Sequence, residues 1–92
     1  MIAKMNDGFE LELDQEALDD VELLEDFAKM DEGDAFAMPS AVQRLLGKEN
    51  KKLLYDHLRG ENGRVAATAV GAAVFELMNS LKEGKNSSSS PN

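Results

Sequence analysis

The stretch from Val65 to Lys82, VAATAVGAAVFELMNSLK, constrains the fold more than any other part of the chain. Val70, Ala73, Val74, Leu77, Met78 and Leu81 recur at i, i+3, i+4, i+7, i+8 and i+11, which is one face of an α-helix. Every other apolar run is shorter or more charged, so the remaining elements are expected to pack around this helix. It is too short and too alanine-rich, with Glu76 and Asn79 inside it, to read as a membrane span. Ala66, Ala67, Ala69, Gly71, Ala72 and Ala73 make part of it narrow enough for close helix approach. Glycine inside a helix costs roughly 1 kcal/mol relative to alanine, so a packing role is expected for Gly71.

Ahead of that helix the pattern changes several times. Phe9-Glu10-Leu11-Glu12-Leu13-Asp14 alternates apolar and acidic residues after the turn signal Asn6-Asp7-Gly8, the pattern of a half-buried strand. A lone strand leaves its backbone groups unpaired. The segment therefore pairs with Met1 to Met5, with another copy or with another protein, or it is an extended arm whose Phe9, Leu11 and Leu13 lie on the helices. Asp14 is placed to cap a first helix from about Gln15 to Met30. Leu18, Val21, Leu24 and Ala28, joined by Phe27, form its inward face, and Asp19, Asp20, Glu22, Glu25 and Asp26 its outward one. Asp31-Glu32-Gly33-Asp34 ends it, with Gly33 as a left-handed cap residue. This run lacks the alternating oxygen ligands and closing glutamate of an EF-hand.

A short helix follows from about Pro39 to Leu46, with Val42, Leu45 and Leu46 inward, and Gly47 stops it. Ser40 to Gln43 has the spacing of a capping box, with Pro39 at the first helical position as the alternative. Lys48 to Arg59 is a third helix carrying Leu53, Leu54 and Leu58, and Gly60-Glu61-Asn62-Gly63 is a turn. The fold class is thus mainly α: a small bundle of about four helices with an N-terminal β-strand or extended arm. Residues 1–84 form a single domain, and the polar, serine-rich stretch 85–92 is expected to be disordered.

Charge is unevenly spread. Residues 1–34 hold thirteen acids against Lys4 and Lys29, and residues 35–92 hold five acids against eight bases. The acidic half is either a solvated face or an electrostatic contact for a basic partner, which includes the basic half of a neighbouring copy. Phosphates would meet a negative protein, so no direct nucleic-acid contact is expected. Lys48, Lys51, Lys52 and Arg59 around Gly47 would be the phosphate contacts of a helix-turn-helix, a reading the overall acidity opposes.

Chemistry-bearing residues are scarce. There is no cysteine, hence no disulfide, thiolate metal site or thiol nucleophile, which fits a reducing cytoplasm. His57 is the single histidine, and its place beside Leu54 and Leu58 points to a structural role. There is no glycine-rich phosphate loop, and no nucleophile is paired with a base. The chain is expected to be neither an enzyme nor a holder of a cofactor or metal. Met1-Ile2-Ala3-Lys4 lacks the apolar core of a signal peptide, so a soluble protein with no membrane contact is expected. Phe9, Leu11, Leu13, Leu23 and Phe27 are the candidates for contact with a client or a second copy; the alternative is that all five are core.

One resemblance gives these features a common meaning. The order runs from a short N-terminal segment to an acidic helix around Leu18–Met30 and a proline-led helix into Leu45-Leu46-Gly47. It continues with Leu53-Leu54-Tyr55-Asp56-His57-Leu58-Arg59, a polar turn through Gly63-Arg64-Val65, the alanine-rich helix and the tail Lys85-Asn86-Ser87-Ser88-Ser89-Ser90-Pro91. This order resembles the small tail assembly chaperones of long-tailed phages, especially those of phages and prophages of Gram-positive bacteria. The resemblance implies a non-enzymatic protein, absent from the mature virion and working in the cytoplasm of the bacterial host. Its partners would be the tape measure protein, a long helical rod that it keeps soluble, and the tail tube protein that it helps recruit. Many such proteins are also made in a longer form by a translational frameshift. Gly84-Lys85 or Lys85-Asn86 can be encoded by slippery heptamers, so an overlapping downstream frame is expected. The rival reading, from the acids alone, is an inhibitor or regulator that mimics DNA and binds a nucleic-acid enzyme.

Overall fold

A computed structural model describes the backbone of residues 1–89 and the side chains of residues 1–82. It is mainly helical, with a two-stranded antiparallel sheet at the N-terminus. Strands β1 (Ile2–Lys4) and β2 (Glu10–Glu12) are followed by α1 (Val21–Asp31), α2 (Met38–Leu58) and α3 (Ala67–Ser89). Short 3-10 turns at Gln15–Asp19 and Ala35–Ala37 lead into α1 and α2. The expected polar tail at 85–92 falls on residues whose side chains, and from 90 onward whose backbone, lie outside the described ones.

The N-terminal strand finds its partner within the chain. β1 pairs with β2 in the register Ile2↔Glu12, Ala3↔Leu11 and Lys4↔Glu10. The period-two pattern then sends Ala3, Leu11 and Leu13 into the core while Glu10 and Glu12 face water. A two-stranded hairpin is marginal alone, and here α3 supports it. Ser80 Oγ accepts the Lys4 N–H at 2.8 Å, and Glu76 Oε1 accepts the Asn6 N–H at 2.8 Å. On the other edge Asn50 Nδ2 donates to the Glu12 carbonyl at 2.7 Å. Side chains thus occupy edge groups that strand addition by another chain would need.

The first helix departs from expectation in two ways. It is not continuous from Gln15: Asp20 is extended, and its carboxylate accepts the N–H groups of Glu22 and Leu23, restarting the helix at Val21. Asp14 caps only the short turn before it, through Glu16 N–H at 3.0 Å. Aspartate side chains that bond nearby backbone compete with helix continuation, and Asp20 does so here. The inward face also differs. α1 carries two overlapping apolar stripes, Leu23/Phe27/Met30 and Val21/Leu24/Ala28, and the first one packs on the core. Val21 and Leu24 remain 66% and 56% exposed, while Leu23 is 1% exposed. Asp26, expected outside, is buried on the packed side. It accepts Ser40 Oγ–H at 2.8 Å and Arg44 Nε–H at 3.1 Å. That pairing is what admits a carboxylate to the face and selects the bulkier stripe.

Three α-helices replace the expected four or so, because α2 is a single run broken at Gly47, whose φ of 80° and ψ of 168° are non-helical. Its halves, 38–46 and 48–58, match the two helices expected from the sequence. Pro39 stands in the first turn, and α2 has no side-chain cap; Ser40 serves Asp26 instead of a capping box. The core is shared between two helices. α3 contributes Val70, Ala73, Val74 and Leu77, as its periodicity requires, and α2 contributes Ala41, Val42, Leu45, Leu46 and Leu54. The C-terminal helix is therefore half of the hub instead of the whole of it.

Candidate interaction surface

The five residues singled out as contact candidates separate into two groups. Leu11, Leu13 and Leu23 lie in the core and present no surface to a partner; they join the hairpin and α1 to the helices. The outward-facing strand residues of the hairpin are Ile2 and Lys4 on β1 and Glu10 and Glu12 on β2, with Ile2 51% exposed. Phe9 is partly buried and stacks on His57, with ring centroids 4.0 Å apart and planes 14° from parallel. Asp7 completes this clasp. Its carboxylate accepts the Phe9 N–H at 3.0 Å and lies 2.8 Å from His57 Nε2, and these contacts, the backbone one first, hold its pKa below the ordinary aspartate range. The Asp7–Phe9–His57 arrangement ties the hairpin turn to the last turns of α2, which is a structural task for the single histidine.

Phe27 is the candidate that reaches a surface. Together with Met30, Asp31, Gly71, Val74, Phe75 and Met78 it lines an open groove of about 440 Å³ between α1 and α3. Phe75 forms one wall and is 68% exposed. It projects roughly opposite to the buried Val70/Leu77 side of α3 and lies outside the core, and it also lines a smaller hollow beside Asn6 and Glu76. On α1, Leu24 precedes Phe27 by three residues and Ala28 by four, and Val21 precedes Leu24 by three, so these four share one side of the helix. The Val21/Leu24/Ala28 stripe, left exposed by the core, thus lies on the side of α1 that carries Phe27. Phe36, on the turn between α1 and α2, is 93% exposed. Two larger hollows lie elsewhere: one of about 520 Å³ is lined in part by Met1, Ile2, Leu18 and Leu81, and one of about 650 Å³ is lined mostly by polar side chains of α2, among them Lys48, Lys51, Lys52 and Arg59.

Sequence reasoning missed Val21, Leu24, Phe36 and Phe75 as surface residues. Phe75 was legible, since it falls off the periodic face of its helix. The others were not: Val21 and Leu24 sit on a stripe as regular as the packed one, and the periodicity does not rank the two.

The acidic half has a partly structural explanation. Asp7, Asp14, Asp20 and Asp34 each accept a backbone N–H two residues on. Glu10 pairs with Lys4 at 3.4 Å, and Arg44 joins Glu22 at 3.0 Å to Asp26 at 3.1 Å. Glu16, Asp19, Glu25, Asp31 and Glu32 make no ion pair among the described residues. Asp31 is in the groove, and Glu25 borders the exposed stripe of α1 on its far side. Among the described residues no helix is long and apolar enough to cross a membrane, and no group of three or more His, Asp or Glu side chains is placed to hold a metal ion.

Comparison with protein-family models, with characterised proteins and with solved structures returns no match.

Proposed function

We propose that this protein is a tail assembly chaperone of a long-tailed phage or prophage of Gram-positive bacteria. In this reading it works in the cytoplasm of the bacterial host, holds the tape measure protein in soluble form, helps bring tail tube subunits to it, and is left out of the finished virion. The observation that carries the reading is the aromatic groove between α1 and α3, beside an exposed apolar stripe of α1, on a strongly acidic protein. A holder of a long helical client needs an apolar surface for the client and a charged exterior for the complex. The order of features along the chain, from acidic helix to serine-rich tail, supports the same reading. The rival reading as a DNA mimic draws less support, because many of the carboxylates are committed to backbone N–H groups and to Arg44.

The gene and its surroundings test this directly. A tape measure gene is expected just downstream, with a slippery heptamer across the codons for Gly84 to Asn86 and an overlapping frame beyond it. A locus without a tape measure gene would count heavily against the proposal. Codons that break every heptamer in that window would remove the frameshifted longer form alone.

A further inference from the structure

We infer that the α1/α3 groove docks a single amphipathic helix with basic residues along the borders of its apolar face. The inference rests on the reading of this protein as a holder of a helical client, and it specifies where the client binds and with what chemistry. Three features of the surface lead to it. The groove runs between two helices and is walled by Phe27 and Phe75, with Met30 and Met78 beside them; aromatic walls and adaptable methionines suit the side chains of an incoming helix at i, i+3, i+4 and i+7. Beside it on α1 lie the exposed Leu24 and Val21, on the side of the helix that carries Phe27, which adds apolar area to that of the groove.

The third feature is charge, and it selects the occupant. The stretch 19–34 carries eight carboxylates against Lys29. Arg44 engages Glu22 and Asp26, on the side of α1 turned away from the groove. Asp31 within the groove and Glu25 at the margin of the stripe have no ion-pair partner among the described residues. Lys82, one helical turn beyond Met78 on α3, is the nearest countercharge the sequence of that helix supplies. An acidic helix would meet like charges along α1, and an uncharged one would leave these carboxylates facing apolar surface. Lys or Arg at the flanks of an apolar stripe answers both, because the stems cover apolar area while the heads reach the carboxylates.

The test uses the full chain and three peptides of about 18 residues, five turns of helix. The first carries Leu on one face and Lys along its flanks, the second replaces Lys by Glu, and the third keeps the lysines and replaces Leu by Ser. Titration followed by amide chemical shifts should show the Leu/Lys peptide perturbing α1 and α3 around Phe27 and Phe75, with the other two peptides bound at least about tenfold more weakly. Phe75→Ser and Leu24→Ser change exposed residues and should leave folding intact while weakening binding of the first peptide by about tenfold each. The pair Glu25→Gln with Asp31→Asn should weaken it several-fold at low salt and much less at high salt.

Equal binding of the Lys and Glu peptides, or of the Leu and Ser peptides, overturns the proposal. So does binding indifferent to both Phe75→Ser and Leu24→Ser. Sedimentation of the protein alone adds a further arm: a dimer that Phe75→Ser dissolves assigns the groove to a second copy and likewise overturns it. The outcome is separable from that of the functional reading. A tape measure protein that fails to bind this chain removes the chaperone function and leaves peptide docking intact; a tape measure complex indifferent to Phe75→Ser does the reverse.

Discussion

At the scale of single residues, the fold depends on a few side chains with no remaining contact with water. Leu77 and Leu54 are both 0% exposed, one from each core helix. Truncating either to alanine removes its transfer energy and leaves a cavity, so a loss of about 2–5 kcal/mol is expected in urea unfolding. Against a total of roughly 5–15 kcal/mol for a small domain, that brings the protein close to its unfolding threshold. Asp26 is a different kind of dependence. Asp26→Ala removes the acceptor of Ser40 and Arg44, and about 1–3 kcal/mol should be lost, because Arg44 stays partly exposed and keeps Glu22 as a partner. Asp7 makes stability depend on pH. Its folded pKa is depressed, so its contribution is present above the unfolded value of about 4 and disappears as pH falls through the lower folded value. Thermal unfolding should therefore show a smaller acid-side decline below pH 4 in Asp7→Asn than in the parent chain.

At the scale of elements, two glycines make opposite predictions. Gly47 has φ of 80° with ψ of 168°, a region that only glycine occupies readily, and a Cβ there would meet nothing within 4 Å. Gly47→Ala therefore carries a purely backbone penalty of about 1–3 kcal/mol, read as a lower unfolding midpoint. Gly71 is helical, and a Cβ there would meet only Met38 Sδ at 3.8 Å, an ordinary contact. The close approach expected at Gly71 from its small neighbours is absent. Gly71→Ala should accordingly stabilise the protein by up to about 1 kcal/mol. What the sequence made legible follows the strength of the local signal. The α3 face, the break at Gly47 and the alternation of Phe9 to Leu13 are each written in one periodicity with no competitor, and all three are present in the structure. α1 has two competing stripes, and the choice between them lies in a tertiary pairing of Asp26 with Ser40 and Arg44 that no window of sequence around α1 contains. The continuity assigned to Gln15–Met30 failed because Asp20 is at once a tolerable helix residue and a good cap. The surface had the same fate as α1: once the stripe containing Leu24 was assigned to the core, the groove beside it was hidden.

Across the whole molecule, packing leaves Val21 and Leu24 on α1, Phe36 after it and Phe75 on α3 exposed, and, outside the groove, Ile2 and Leu53 as well. A small domain buries a limited share of its surface, and apolar area left in one contiguous place marks contact with something else. The hairpin is the less suitable place for that contact, since Leu11 and Leu13 are spent on the core and its edges carry bonds from Ser80, Glu76 and Asn50. Whether the protein holds a helical tape measure protein through the α1/α3 side, as proposed, is decided by producing the two proteins together and apart. The tape measure protein is expected to be insoluble alone, to be recovered as a soluble complex with this chain, and to return to the insoluble fraction with a chain carrying both Leu24→Ser and Phe75→Ser. A tape measure protein that stays insoluble in the presence of the parent chain would rule out the proposed holding function.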